Sequence, residues 1–107
     1  GKNYCIGGNN EKTNIEVSRL ICFYLEELVP TNFKYESLIK FVDDRPGHDK
    51  RYAIDSTFLK DKLGWRPKYN FEENLKKTVK WYLDNKSWCY KVLKKGSYAG
   101  ERLGHSA

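Results

Sequence analysis

The stretch Thr13-Asn14-Ile15-Glu16 constrains this chain more than any other. A threonine followed three residues later by glutamate is the reciprocal cap of a helix N-terminus, each side chain closing on the other's backbone N–H. Val17, Leu20, Ile21, Tyr24, Leu25 and Leu28 then recur at helical spacing on one face, and Pro30 stops the run. An apolar helical stripe must be covered, and a second helix can cover it. Asn70 with Glu73 caps that helix; Phe71, Leu75, Thr78, Val79 and Tyr82 line its inner face, and lysines fill the outer one. Between the two, Asp55 or Ser56 can cap a short helix running through Leu63. Gly64 suits its end, and Pro67 blocks continuation.

Extended segments are expected at Asn3-Tyr4-Cys5-Ile6, ahead of the Gly7-Gly8 turn, at Leu38-Ile39-Lys40-Phe41-Val42, and at Arg51-Tyr52-Ala53-Ile54. Read as short strands, they predict an α/β class with too few strands for a complete doubly wound sheet. Trp81 and Trp88 extend the packing of the last helix. After Lys94 no period is visible, so the expected organisation is one lobe over residues 1–95 and a loosely structured tail over 96–107.

Composition narrows the class. Charged residues are 32% of the chain and mean hydropathy is −0.79, polar for a domain this small, yet aromatics at 15% are too many for a disordered chain. The combination fits a folded piece with a thin core, part of something larger; Met is absent throughout. No stretch reaches the roughly 20 apolar residues of a membrane span, and no signal peptide is visible, so a cytoplasmic protein is expected. Cys5, Cys22 and Cys89 are odd in number and widely spaced, which predicts buried, reduced thiols rather than a zinc site or a disulfide framework. The net charge of +6 comes mainly from lysines spread along the chain. Without clustering or a recognition motif, nucleic acid is not the expected partner, although such a surface can draw in a small anion.

The most concentrated chemistry lies in Asp43-Asp44-Arg45-Pro46-Gly47-His48-Asp49-Lys50-Arg51-Tyr52-Ala53-Ile54-Asp55. It follows an expected strand, and ligands in α/β proteins gather at the carboxyl ends of strands. Pro46-Gly47 makes a tight turn that fixes its flanks. Arg45 offers a planar donor fork suited to phosphate, and His48 can donate to a phosphate or a ribose. The spacing is equally that of a solvated charged turn, and both readings stay open here. Asn14 is a second candidate, at a helix start beyond a glycine turn, where free N–H groups favour an anion; plain capping is its alternative.

Other patterns carry less. Gly96 to Gly104 is glycine-rich, but its GxxxGxxxG spacing follows no strand and is no dinucleotide fingerprint. Tyr82 to Lys86 and Tyr90 to Lys94 both match the YxxxK pair of short-chain dehydrogenases, a coincidence expected in a chain so rich in both residues.

Taken together, four pieces carry a resemblance. They are Tyr4-Cys5-Ile6-Gly7-Gly8-Asn9-Asn10-Glu11-Lys12-Thr13-Asn14, then Asp44 to Asp55, then Leu63-Gly64-Trp65-Arg66-Pro67, then Lys77-Thr78-Val79-Lys80-Trp81-Tyr82. In that order they resemble the carboxyl-terminal third of the dTDP-glucose 4,6-dehydratase family of extended short-chain dehydrogenases/reductases. The last two pieces recur across nucleotide-sugar epimerases and dehydratases; the Arg45–Asp49 run, followed by a basic pair and Tyr52-Ala53-Ile54-Asp55, is the more specific. Cys5 stands where the family usually has Asn, and Lys50 where Arg is common.

The resemblance implies a small substrate-binding lobe of few short strands and packed helices, with the Rossmann lobe absent. It implies that Asp44, Arg45, Pro46, Gly47 and His48 form the segment that meets the nucleotide diphosphate of dTDP-glucose, and that Asn14 also contacts the substrate. Arg45 is the implied phosphate ligand, while Asp44 and Pro46-Gly47 shape the turn. NAD and the catalytic residues belong to the preceding two thirds, so no catalytic, cofactor-binding or metal-binding residue is expected here. The whole enzyme would be a homodimeric lyase that uses NAD; this portion alone would be inactive. Alternatives are the same lobe of another nucleotide-sugar dehydratase, epimerase or decarboxylase, or a stand-alone basic module for an anion or nucleic acid.

Overall fold

A computed structural model describes residues 1–96. Four helices carry the chain: α1 (Asn14–Leu28), α2 (Thr57–Leu63), α3 (Phe71–Asp84) and α4 (Lys86–Lys95), with a 3-10 turn at Tyr35–Leu38. The capping box forms at the head of α1. Glu16 N–H donates to Thr13 Oγ1 at 3.2 Å, and Thr13 N–H donates to Glu16 Oε2 at 2.7 Å. Asn70 caps α3 by accepting from Glu73 N–H at 2.8 Å. At α2 the work falls to Asp55, whose carboxylate accepts from Thr57 N–H at 2.9 Å, while Ser56 holds the cap position without a side-chain cap bond. Gly64 ends α2 in the left-handed region at φ 66°, where a side chain would be strained.

The expected stripes meet, except that Thr78 and Tyr82, expected on the inner face of α3, stay exposed. α1 packs on α3 and on the 3-10 turn, and α4 follows α3. Tyr24 and Cys22 on α1, Val79 on α3 and Leu59 on α2 are the buried apolar residues, and no described side chain is completely buried. Two ion pairs flank the α1–α3 contact: Lys76 with Glu27 at 2.8 Å, and Lys12 with Glu72 at 3.2 Å. The radius of gyration, 17.4 Å, exceeds the roughly 13 Å of a compact domain this long. The core is as thin as the composition implies.

The three expected strands do not form among the described residues. Residues 3–6 and 51–54 are extended but irregular, and Leu38 instead closes the 3-10 turn. Their β-branched and aromatic content favours extension, but a strand also needs a hydrogen-bonded neighbour, and none lies beside these segments. Residues 3–8 do run close to residues 54–58. Ser56 Oγ donates to Gly7 O at 3.0 Å, Tyr4 stacks on Phe58 with ring centroids 5.4 Å apart, and Gly7 lies directly against Ile54. These contacts hold α2, which packs on none of the other helices.

Two further expectations are amended. A separate helix follows α3: Asn85 leaves helical geometry at φ −121°, its Nδ2 donates to Trp81 O at 2.8 Å, and α4 begins after it. Trp81 and Trp88 pack edge-to-face across this break and remain half exposed. Of the thiols, Cys22 is buried, and burial pushes its pKa up; Cys89 is half-buried and Cys5 is exposed. The tail expected over 96–107 lies outside the described residues apart from Gly96. No helix among the described residues is long and apolar enough to cross a membrane.

Candidate functional site

The charged run folds back onto the head of α1. Between them lies an open cleft of about 710 Å³, with one wall formed by Glu11, Lys12, Thr13, Asn14 and Glu16 and the other by Asp44, His48, Asp49, Lys50, Arg51 and Tyr52. Of the residues expected at a site, Asn14, Asp44 and His48 are therefore brought together from opposite sides. Arg45, Pro46 and Gly47 form the apex of the turn and do not line the cleft.

The turn has a clear local cause. Pro46 and Gly47 occupy its two central positions, Gly47 at φ 71°, and His48 N–H donates to Arg45 O at 3.3 Å. This is the pairing a type II turn requires, with proline first and a residue tolerant of positive φ second. Asp44 reinforces it: one carboxylate oxygen accepts from Arg45 N–H at 2.8 Å and lies 2.6 Å from His48 Nδ1. The His48 hydrogen bond is the main reason the Asp44 carboxyl is held below its ordinary range, with Arg45 N–H and the nearby charges adding to it.

Each of the four carboxylates lining the cleft has its own donor. Glu11 pairs with Arg51, Glu16 closes the Thr13 cap, Asp44 meets His48, and Asp49 accepts from the Tyr52 hydroxyl at 2.7 Å. The backbone of Thr13, then its hydroxyl, lowers the Glu16 pKa. Tyr52 is raised chiefly because its hydroxyl donates a hydrogen bond to Asp49, while the charge of Arg45 pulls the other way. Arg45 thus acts electrostatically on both Asp44 and Tyr52 from outside the lining. Its side chain, like that of Lys50, makes no hydrogen bond or ion pair with any described residue.

At the head of α1 the cap satisfies the N–H of Glu16 and of Thr13 itself. The N–H groups of Asn14 and Ile15 have no hydrogen bond to a described residue, so the positive end of the α1 dipole opens on the cleft. With each acid held by a donor and Lys12 paired with Glu72, Lys50, the Asn14 amide and the open N–H groups of that helix end are left to meet the oxygens of an anion. Among the described residues no cluster of His, Cys, Asp and Glu could hold a metal ion.

Sequence reasoning passed over Glu11, Lys12, Arg51 and Tyr52 as site residues. Arg51 and Tyr52 lie in the same charged run as His48, which was the available signal. Glu11 and Lys12 carry none beyond their closeness to Asn14.

Known proteins match this chain closely. Residues 1–78 match the model of the GDP-mannose 4,6 dehydratase family. A dTDP-glucose 4,6-dehydratase of Neisseria meningitidis serogroup B is 56% identical over 97% of this chain and 30% of its own length. The enzyme of that name from Escherichia coli is 52% identical with the same coverage. A crystal structure of dTDP-glucose 4,6-dehydratase from Bacillus anthracis, in complex with NAD, superimposes with a TM-score of 0.64 at 46% identity, over 79% of this chain and 24% of that one. The chain thus spans about a third of the length of the relatives it matches. With nearly three quarters of its length matched by one family model, the chain belongs to the GDP-mannose 4,6 dehydratase family.

Proposed function

We propose that this chain is the nucleotide-sugar-binding lobe of a dTDP-glucose 4,6-dehydratase, a cytoplasmic homodimeric lyase, and that its cleft holds the dTDP part of dTDP-glucose. The observation that carries the reading is the convergence of Asn14, Asp44 and His48 on one cleft at the open end of α1, with each of its carboxylates held by a donor. The close identity to enzymes of that name supplies the substrate. In the whole enzyme, gripping the nucleotide places the sugar for chemistry elsewhere, so that binding energy remote from the reacting carbons orients them. The product of that chemistry is dTDP-4-keto-6-deoxyglucose.

NAD fits the whole enzyme but not the residues present here. A pyrophosphate cradle needs a glycine-rich turn leading directly from a strand into a helix. Gly7-Gly8 instead lead into irregular residues before the Thr13 cap, and the segment ahead of them pairs with nothing as a strand. NAD and the acid–base residues therefore belong to the remainder of the enzyme. This chain alone should form no 4-keto-6-deoxy sugar.

Titration calorimetry of dTDP, UDP and GDP into the complete protein tests the reading. Binding of dTDP ahead of the other two is expected. Equal affinities would point to another nucleotide-sugar enzyme of the family. Steeply salt-dependent binding of single-stranded RNA, with no preference for dTDP, would replace the reading altogether.

A further inference from the structure

We infer that Glu11 and Arg51 form a clamp that sets the width of the cleft, Arg51 being a positioning residue rather than a ligand of the nucleotide; the inference rests on the proposed nucleotide site. The two walls come from segments 40 residues apart in sequence. Each is rigid within itself: the Thr13–Glu16 capping box fixes one, and the Asp44–His48 and Asp49–Tyr52 bonds fix the other. Among the described residues that line the cleft, the direct side-chain bond from wall to wall is the Arg51–Glu11 pair. Ser56 on Gly7 O ties the chain together behind the two walls, so the Glu11–Arg51 pair sets their separation at the cleft itself.

The pair is unsuited to a stabilising role. Both side chains are largely exposed, at 70% and 54%, where an ion pair adds little to folding because water and salt screen it. Its chemistry is suited to positioning. A guanidinium presents a planar fork to a carboxylate, so it fixes direction as well as distance. The pairing also offsets the charge of Glu11 against an incoming anion, and it commits Arg51 as Glu72 commits Lys12, leaving Lys50 and the head of α1 to meet the ligand.

The test uses the complete protein, with dTDP as probe, in four forms: wild type, Glu11→Gln, Arg51→Gln, and the exchanged pair Glu11→Arg with Arg51→Glu. Each single change should weaken dTDP binding about tenfold, within the range of coupling between residues of one network, with the melting temperature almost unmoved. The exchanged pair should recover most of the loss, because it rebuilds the joint while removing the cation from position 51. An exchanged pair as weak as Arg51→Gln would overturn the inference, since Arg51 would then serve as a direct ligand. Single variants that bind as tightly as wild type would overturn it too. Backbone NMR order parameters of residues 48–52, read without ligand, make the two readings separable. They should fall in Glu11→Gln and return to the wild-type values in the exchanged pair, whether or not dTDP binds. If wild type fails to bind dTDP, the nucleotide reading falls while this readout still judges the clamp; unchanged order parameters in Glu11→Gln remove it.

Discussion

His48 Nδ1 stands 2.6 Å from Asp44 Oδ1, so the histidine that leaves the Pro46-Gly47 turn is tied to the aspartate that enters it. The same carboxylate oxygen accepts from Arg45 N–H, and the three residues form one closed unit, Asp44 and His48 on the wall of the cleft and Arg45 outside it. Sequence alone left open whether this run was a solvated turn or a binding wall. It has features of both, since Asp44, Asp49 and Asp55 find their donors within the run or just beyond it, while one side of the run faces the head of α1.

The Asp44–His48 bond carries a pH signature. Asp44 sits below its ordinary value of 3.8, chiefly through His48, so the order it lends the turn is complete above that value and is lost as pH falls through the lowered one. His48→Ala should return the Asp44 carboxyl towards its ordinary range and make the turn loosen at a higher pH. An NMR titration of the Asp44 side-chain carboxyl carbon in both proteins measures this. An unchanged midpoint would mean that the bond does not hold the aspartate.

The helix caps were legible because they are local. Thr13 and Glu16, like Asn70 and Glu73, state their hydrogen bonds within four residues of sequence, and the structure makes each of them. The strands were not, because a ladder is a property of two segments, and residues 3–6 and 51–54 show only extension. For the same reason the charged run announced its turn but not its reach: nothing near Arg51 in sequence points to Glu11. Thr13→Ala should therefore cost about 1 kcal/mol, the usual value of an N-cap, with Thr13→Ser nearly neutral. Urea unfolding checks it, and equal midpoints for wild type and Thr13→Ala would show that the cap adds nothing here.

The Gly7–Ile54 approach offers a sharper steric test. A methyl group at residue 7 would lie 3.1 Å from Ile54 O and 3.2 Å from Ile54 Cβ, whereas at Gly8 its nearest neighbour would be Asn10 Nδ2 at 3.7 Å. Ser56 holds the two segments together at this point, so the backbone cannot retreat without losing its bond to Gly7 O. Gly7→Ala should destabilise by about 1–3 kcal/mol, the range for overpacking, and Gly8→Ala should be close to neutral. Thermal melts of the two variants decide it; equal melting temperatures would mean that the segments part freely.

Leu38, Phe41, Val42, Ile6 and Ile54 are more than half exposed, Phe41 at 85%. They belong to the segments expected as strands, so the apolar surface a sheet would cover stands open. The 107-residue chain should self-associate with rising concentration and bind a hydrophobic dye. A clean monomer by sedimentation at high concentration, without dye binding, would show that this surface is innocuous.

Arg45 gives the most direct test of the proposed site. It stands at the apex of the turn, outside the cleft lining; its backbone is bonded within the turn, while its side chain makes no hydrogen bond or ion pair to a described residue. Its guanidinium acts on Asp44 and Tyr52, both of which line the cleft, so its charge already bears on the site. A planar fork can take two phosphate oxygens at once, and the turn beside it is fixed by Pro46 and Gly47. In the complete protein Arg45→Ala should weaken dTDP binding by about 1.5–3 kcal/mol, the scale of a hydrogen bond to a charged group. Arg45→Lys should recover only part of that loss, since it keeps the charge and gives up the paired geometry. Stability should move by no more than about 0.5 kcal/mol in either variant, because the exposed side chain supports nothing else. Calorimetric titration of dTDP into the three proteins, with thermal melts alongside, separates the outcomes. Equal affinities would return Arg45 to a solvated turn and leave the nucleotide to the residues that line the cleft.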